Sequence, residues 1–123
     1  MRLLNEERAA RGLRPVQTNE ALRRAAYLHS KDMAQNNYFS HTSRNGRTLR
    51  DRVQEQGYTG WTRIAENIAW HSGNPDALRV FNMWKGSSGH YRNMTGNYNE
   101  AGLGYYTYNN RTYYTLDLGY RNP

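Results

Sequence analysis

Apolar positions in the first third of the chain recur at helical spacing. Leu3, Leu4, Arg8 and Ala9 or Ala10 fall on one stripe and Gly12 closes the segment, so residues 2–11 are predicted as a helix. Pro15 forbids its continuation. Thr18 or Asn19 caps a longer helix reaching about Asn37, with Leu22, Ala25, Ala26, His29 and Met33 as its inner stripe. Gly46 and Thr48 break and restart the chain, giving a third helix from Leu49 to Gln56, ended by Gly57. Asn74-Pro75-Asp76 starts a fourth, with Pro at the first helical position and an acid in the first turn. Leu78, Phe81 and Met83 or Trp84 are predicted to line its buried side, and Gly86 to stop it.

From Glu100 the period changes to two. Ala101, Leu103 and Tyr105 alternate, as do Thr112, Tyr114, Leu116 and Leu118, and Asn109-Asn110 between them suits a hairpin turn, both residues tolerating positive φ. A third strand is predicted through Ile64 to Trp70. With helices first and strands last, the layer rule favours α+β, helices packed on one or both faces of a small antiparallel sheet.

Length and composition narrow this picture. A chain of 123 residues is one domain, 1–123, with no room for a second core. Only 37% of residues are hydrophobic and the mean hydropathy is −1.08, yet 11 Tyr, 3 Trp and 2 Phe supply large buriable area, so the core is expected to be thin and aromatic. Eight of the 11 tyrosines lie at or beyond Tyr91, which suits half-buried strands, and a stacking platform for bases or sugars is the second reading of that cluster. No stretch approaches the roughly 18 apolar residues of a membrane span. Met1 to Arg8 lacks the apolar run of a signal peptide, so the chain is expected to be either cytoplasmic or the mature part of a secreted precursor. With 0 Cys, disulfides, Cys-zinc sites and thiol nucleophiles are excluded together.

The net charge of +7 is uneven: residues 1–63 carry +6 and residues 64–123 carry +1. Arg23, Arg24, Lys31, Arg44, Arg47, Arg50 and Arg52 form the basic front, which reads as a solvated face or as a surface for phosphates, anionic wall polymers or acidic lipids. No helix-turn-helix, zinc-finger or RNA-binding signature accompanies them, so no specific nucleic-acid partner is expected.

The chain has no P-loop, GxGxxG, HExxH, GxSxG or EF-hand loop. What remains are His41 and His90 in polar, loop-like contexts and one acid, Glu66, set in the apolar run Ile64-Ala65-Glu66-Asn67-Ile68. A carboxylate buried there without a partner costs several kcal/mol, so Glu66 is expected to accept bonds from an imidazole or backbone N–H, or to hold a proton. His29 reads as a core histidine, His71 as a loop residue, and Asn67 as a tie to loop backbone.

Several ordered blocks carry a resemblance. They are Asn5-Glu6-Glu7-Arg8 with Gly12-Leu13-Arg14-Pro15, Ala25-Ala26 leading to Asp32-Met33, Phe39-Ser40-His41, Ala65-Glu66-Asn67-Ile68, Trp84 followed by Ser87-Ser88-Gly89-His90, and Ala101-Gly102-Leu103-Gly104 with Tyr113 to Gly119. Together they resemble the CAP superfamily of cysteine-rich secretory proteins, antigen 5 and pathogenesis-related proteins, also called SCP-like. Ser87 stands where eukaryotic members usually carry a second Glu, which with the absence of Cys resembles the bacterial branch.

The resemblance implies an α-β-α sandwich, an extracellular location, and a cleft lined by His41, Glu66, Ser87 and His90. In some members that cleft binds a divalent metal, here zinc held by His41 and His90. Without metal the same residues would form a hydrogen-bonded network that stabilises the junction of loops. Two functions follow as expectations: a secreted, monomeric binding module for a lipid, wall component or protein, and a metal-assisted hydrolase using His41, Glu66 and His90. Wall-binding domains in a longer precursor are compatible with either.

Overall fold

The alternation that begins at Glu100 becomes the centre of the molecule. In the computed structural model, which describes residues 1–123, the elements run α1 (Arg2–Ala10), β1 (Gln17–Thr18), α2 (Glu20–Asn36), α3 (Leu49–Glu55), β2 (Trp61–Ser72), α4 (Ala77–Lys85), α5 (Ser88–Met94), β3 (Glu100–Tyr108) and β4 (Arg111–Arg121). The strands form one four-stranded sheet in the order β1-β3-β4-β2. The β3–β4 hairpin turns at Asn109 and Asn110, with φ of 51° and 61°, as a two-residue turn of matching twist requires. β2 pairs antiparallel with β4 at the other side, and β1 adds two residues parallel to β3.

Helices cover both faces, so this is the expected α-β-α sandwich. Tyr114, Leu116 and Leu118 point to one face and meet Leu4, Val80, Phe81, Trp84 and Met94 from α1, α4 and α5. Tyr113 and Ile68 point to the other, against Met33 and Ala34 of α2, while Leu22 and Ala25 of α2 meet Val53 of α3 and Tyr58. α2 sits directly on the backbone of β3. A Cβ on Gly102 would lie 2.2 Å from the amide of Arg23, and one on Gly104 would lie 2.2 Å from that of Tyr27, so only glycine admits the helix at this distance.

Local caps explain the boundaries. The Asn19 side chain accepts from the Leu22 amide, and Asn37 closes α2 with φ of 53°. Thr48 and Asp51 cap α3 reciprocally.

Several expectations are corrected. The first helix ends at Ala10, and its buried polar residue is Arg8, whose guanidinium donates to the carbonyls of Arg14, Met94, Gly96 and Tyr98. In α4 the cap is Asp76, with Pro75 just before it, and Val80, Phe81 and Trp84 face inward while Leu78 and Met83 are exposed. The segment around His90 is not a loop but the short helix α5, and β2 extends past both ends of the Ile64–Trp70 run. His71 lies in β2, not a loop: it is buried and its Nε2 is 2.8 Å from the Tyr114 hydroxyl.

Candidate functional site

β2 is an outer strand, and its unpaired carbonyls need donors. Two helices on the Trp84 side supply them: Trp84 Nε1 donates to the Ile68 carbonyl at 3.1 Å, and Asn93 Nδ2 to the Glu66 carbonyl at 3.4 Å. Asn67 fixes α5 from the strand, its Nδ2 donating to the His90 carbonyl at 3.1 Å and its Oδ1 accepting from Asn93 at 2.9 Å. The expected tie by Asn67 is present, made from a strand to a helix. His90 is thereby held half-buried at the outer edge of β2.

On the opposite face the Glu66 side chain is only 2% exposed. Arg52 of α3 forks onto it, Nη1 to Oε2 at 2.7 Å and Nη2 to Oε1 at 3.1 Å, and Nη2 also donates to the His41 carbonyl. His41 Nδ1 lies 2.9 Å from Glu66 Oε1, and that side chain remains 55% exposed. An ionised carboxylate only accepts, so Nδ1 carries the proton and Nε2 presents its lone pair away from the pair. The charged partner of Glu66 is thus Arg52, which the sequence pattern alone assigns to the basic surface. Of that basic set, Arg23 and Arg24 pair with Glu20, and Arg47 pairs with Glu55.

Asp117 completes the cluster, and sequence reasoning misses it. It is the direct cross-strand partner of Glu66 and is fully buried, with no donor to either carboxyl oxygen. Burial and the neighbouring Glu66 charge push its pKa well above the aspartate range. For Glu66 burial acts upward too, but hydrogen bonds from protonated Asp117, His41 and Arg52 outweigh it and hold the carboxyl far below its usual value. Near neutral pH the pair therefore holds one negative charge, on Glu66, with the proton on Asp117.

Two more histidines frame the cluster. His29 on α2 is buried, as expected, with Nε2 donating to the Ser40 carbonyl at 2.8 Å, and burial followed by the Arg52 charge lowers its pKa. The His90 pKa is also lowered, by burial and then by the charge of His41. Ser87 is the N-cap of α5 and is half-buried, but its hydroxyl makes no capping bond.

His41 and Glu66 are thus in direct contact, whereas His90 is tied through its carbonyl to Asn67 on the other face of the same strand. No group of three or more His, Cys, Asp or Glu side chains is gathered as metal ligands, and both Glu66 oxygens are engaged. The donor set is two imidazoles. Two imidazoles are too few for a closed four-ligand zinc site, and Glu66 serves to orient one of them.

Comparisons with known proteins bear on the fold and the family. The model of the cysteine-rich secretory protein (CAP) family matches residues 1–118. The chain is 34% identical over 112 residues to the uncharacterized membrane protein YlbC of Bacillus subtilis (strain 168), covering 87% of this chain and 32% of that one. It superposes with a TM-score of 0.81 and 32% identity on an extracellular protein containing a SCP domain from Bacillus anthracis str. Ames, over 97% of this chain and 38% of that one. An outer surface protein from Borrelia burgdorferi shares the fold, with a TM-score of 0.87 at 20% identity over 98% of this chain and 89% of that one. The chain spans about a third of the length of the curated relatives it matches, 32% and 39%. No helix is long and apolar enough to cross a membrane.

Proposed function

Because the chain belongs to the cysteine-rich secretory protein family, we propose that it is a secreted binding module, whose ligand contacts His41 and His90 at the outer edge of β2. The observation that carries this reading is the complete engagement of Glu66. Its charge is used to fix Arg52 and orient His41, which leaves it unable to deliver a proton near neutral pH. Neither His41 nor His90 hydrogen-bonds a Ser, Thr or Tyr hydroxyl, so no hydroxyl nucleophile stands paired with either of these two imidazoles. A divalent cation on the two imidazoles would present open positions to an extracellular lipid, wall component or protein. The description of the Bacillus anthracis protein as extracellular supports the location.

The hydrolase reading has one observation in its favour. His41 with Nδ1 held by a carboxylate and Nε2 free is the arrangement of a base with its orienting partner. Incubation with fluorescent casein, with zinc added and then chelated, separates the two. The binding reading expects no cleavage above background in either the parent or His41→Ala. Cleavage that requires zinc and disappears in His41→Ala would put the hydrolase first.

A further inference from the structure

At the hairpin end of the sheet, α2 stops at Asn37 while the strands run on. Trp70, Tyr108 and Arg111 lie beyond the helix end. The register sets Trp70 and Tyr106 opposite Tyr113, and Tyr108 opposite Arg111, all on the face that α2 covers elsewhere. Trp70 is 38% exposed and Tyr108 is 45% exposed. A cavity of about 250 Å³ opens there, walled by Gln35, Asn37, Tyr108, Asn109 and Arg111 over a floor of Tyr113.

The guanidinium in this wall is held before any ligand arrives. Arg111 Nη1 donates to Asn37 Oδ1 at 3.3 Å, and the guanidinium carbon lies 5.1 Å from the centre of the Trp70 ring. Trp70 is itself stacked beside Tyr113, with centroids 6.1 Å apart and planes at 26°. Side chains fixed in this way lose little freedom on binding.

The lining combines aromatic rings, three carboxamides and one guanidinium, with no carboxylate. Gln35 already donates to the Tyr106 hydroxyl and Asn37 accepts from Arg111, but a purely apolar ligand would strip water from the remaining carboxamide atoms at a cost. An anion would find a single cation among neutral groups. A sugar ring offers what the wall lacks: a C–H face for Tyr108, and hydroxyls that both donate to and accept from carboxamides.

We propose that this hairpin-end cleft is a binding site for a neutral saccharide. It lies apart from Glu66 and His41, since Trp70 is four positions along β2 from Glu66, roughly 13 Å at about 3.3 Å per residue. The two sites therefore fail or succeed independently.

The test is an amide-resolved NMR titration of the full chain with N,N′-diacetylchitobiose, cellobiose and maltose, each to tens of millimolar. At least one disaccharide should shift Asn37, Tyr108, Asn109, Arg111 and the Trp70 indole, leaving His41 and His90 unmoved. Tyr108→Ala and Arg111→Ala should each weaken that binding by roughly tenfold or more, whereas Tyr108→Phe should retain most of it. Affinity should hardly change on raising the salt. The proposal is overturned if none of the three sugars binds, if the shifts fall elsewhere, if Tyr108→Ala binds as well as the parent, or if salt abolishes binding.

Discussion

Glu66 and Asp117 are direct cross-strand partners, so two carboxyl groups share one buried position beside a single guanidinium, that of Arg52. Ionising both would leave a net charge in a space with little water. The proton stays on Asp117, and the anion on Glu66 is free to fix Arg52 and His41. The orientation of the exposed imidazole is thus set by an acid on the innermost part of β4.

The Asp117 pKa is raised on folding, so its favourable contribution is complete below the unfolded value near 3.8 and is lost as pH climbs toward the folded value. Asparagine is uncharged throughout and donates the same bond to Glu66. Asp117→Asn should therefore be more stable than the parent at about pH 7.5, by about 1–3 kcal/mol, and no more stable at about pH 3.5. Thermal melts at the two pH values check this; an unchanged or lower Tm at the higher pH contradicts it.

Removing the Glu66 charge should be softened by its neighbour. In Glu66→Gln, Asp117 can ionise and take over the pairing with Arg52, so the loss should be about 1–3 kcal/mol. The double variant Glu66→Gln/Asp117→Asn leaves Arg52 without an anion and should lose about 3–5 kcal/mol. Denaturant unfolding of the three proteins measures the difference, and equal losses in the single and double variants would exclude the exchange of roles.

Acid should weaken the fold in two separate windows. His29 and His90 have lowered pKa values, so below the ordinary 6.5 the unfolded chain binds protons that the folded one refuses, and stability falls with pH from there toward the folded values. The Glu66 contribution persists until pH falls below the ordinary 4.5. His29→Gln keeps a donor for the Ser40 carbonyl and should flatten the upper window only. Stability curves that superpose on the parent between about pH 6.5 and 5 would refute the assignment.

The seat of α2 on β3 is equally testable. Gly104→Ala brings a Cβ against the Tyr27 backbone and should cost about 3 kcal/mol or more. Gly89→Ala, in α5 with nothing within 4 Å of the new methyl, should be neutral or gain up to about 1 kcal/mol. Similar melting temperatures for the two variants would mean that the helix can shift on the sheet.

The elements with strong periodicity are legible in the chain itself: α2 through its Asn19 and Asn37 ends, and the hairpin through Asn109-Asn110. α5 escapes because Ser88–Met94 is too short and polar for a repeat, its position coming from Asn67 and Asn93 across the fold. Glu66 announces its need for a partner, but Arg52 sits in a run of exposed arginines and only the packing of α3 on β2 separates it from them. Asp117 is hidden by alternation. Its neighbours Leu116 and Leu118 mark one face of β4 as the inner one, whereas helices bury both faces and the polar residues Thr115 and Asp117 lie as deep as the leucines. His71 likewise reads as a loop residue because its partner, the Tyr114 hydroxyl, is distant in sequence.

In the proposed function His41 and His90 share one site, while His29 and His71 serve the core. A zinc titration followed through the side-chain nitrogen resonances of all four imidazoles measures this directly. His41 and His90 should respond together at the lowest zinc, with Nε2 the responding atom of His41, His29 and His71 should stay unmoved, and His90→Ala should abolish the His41 response. Separate responses from His41 and His90, or a first response at His29 or His71, would exclude a shared site.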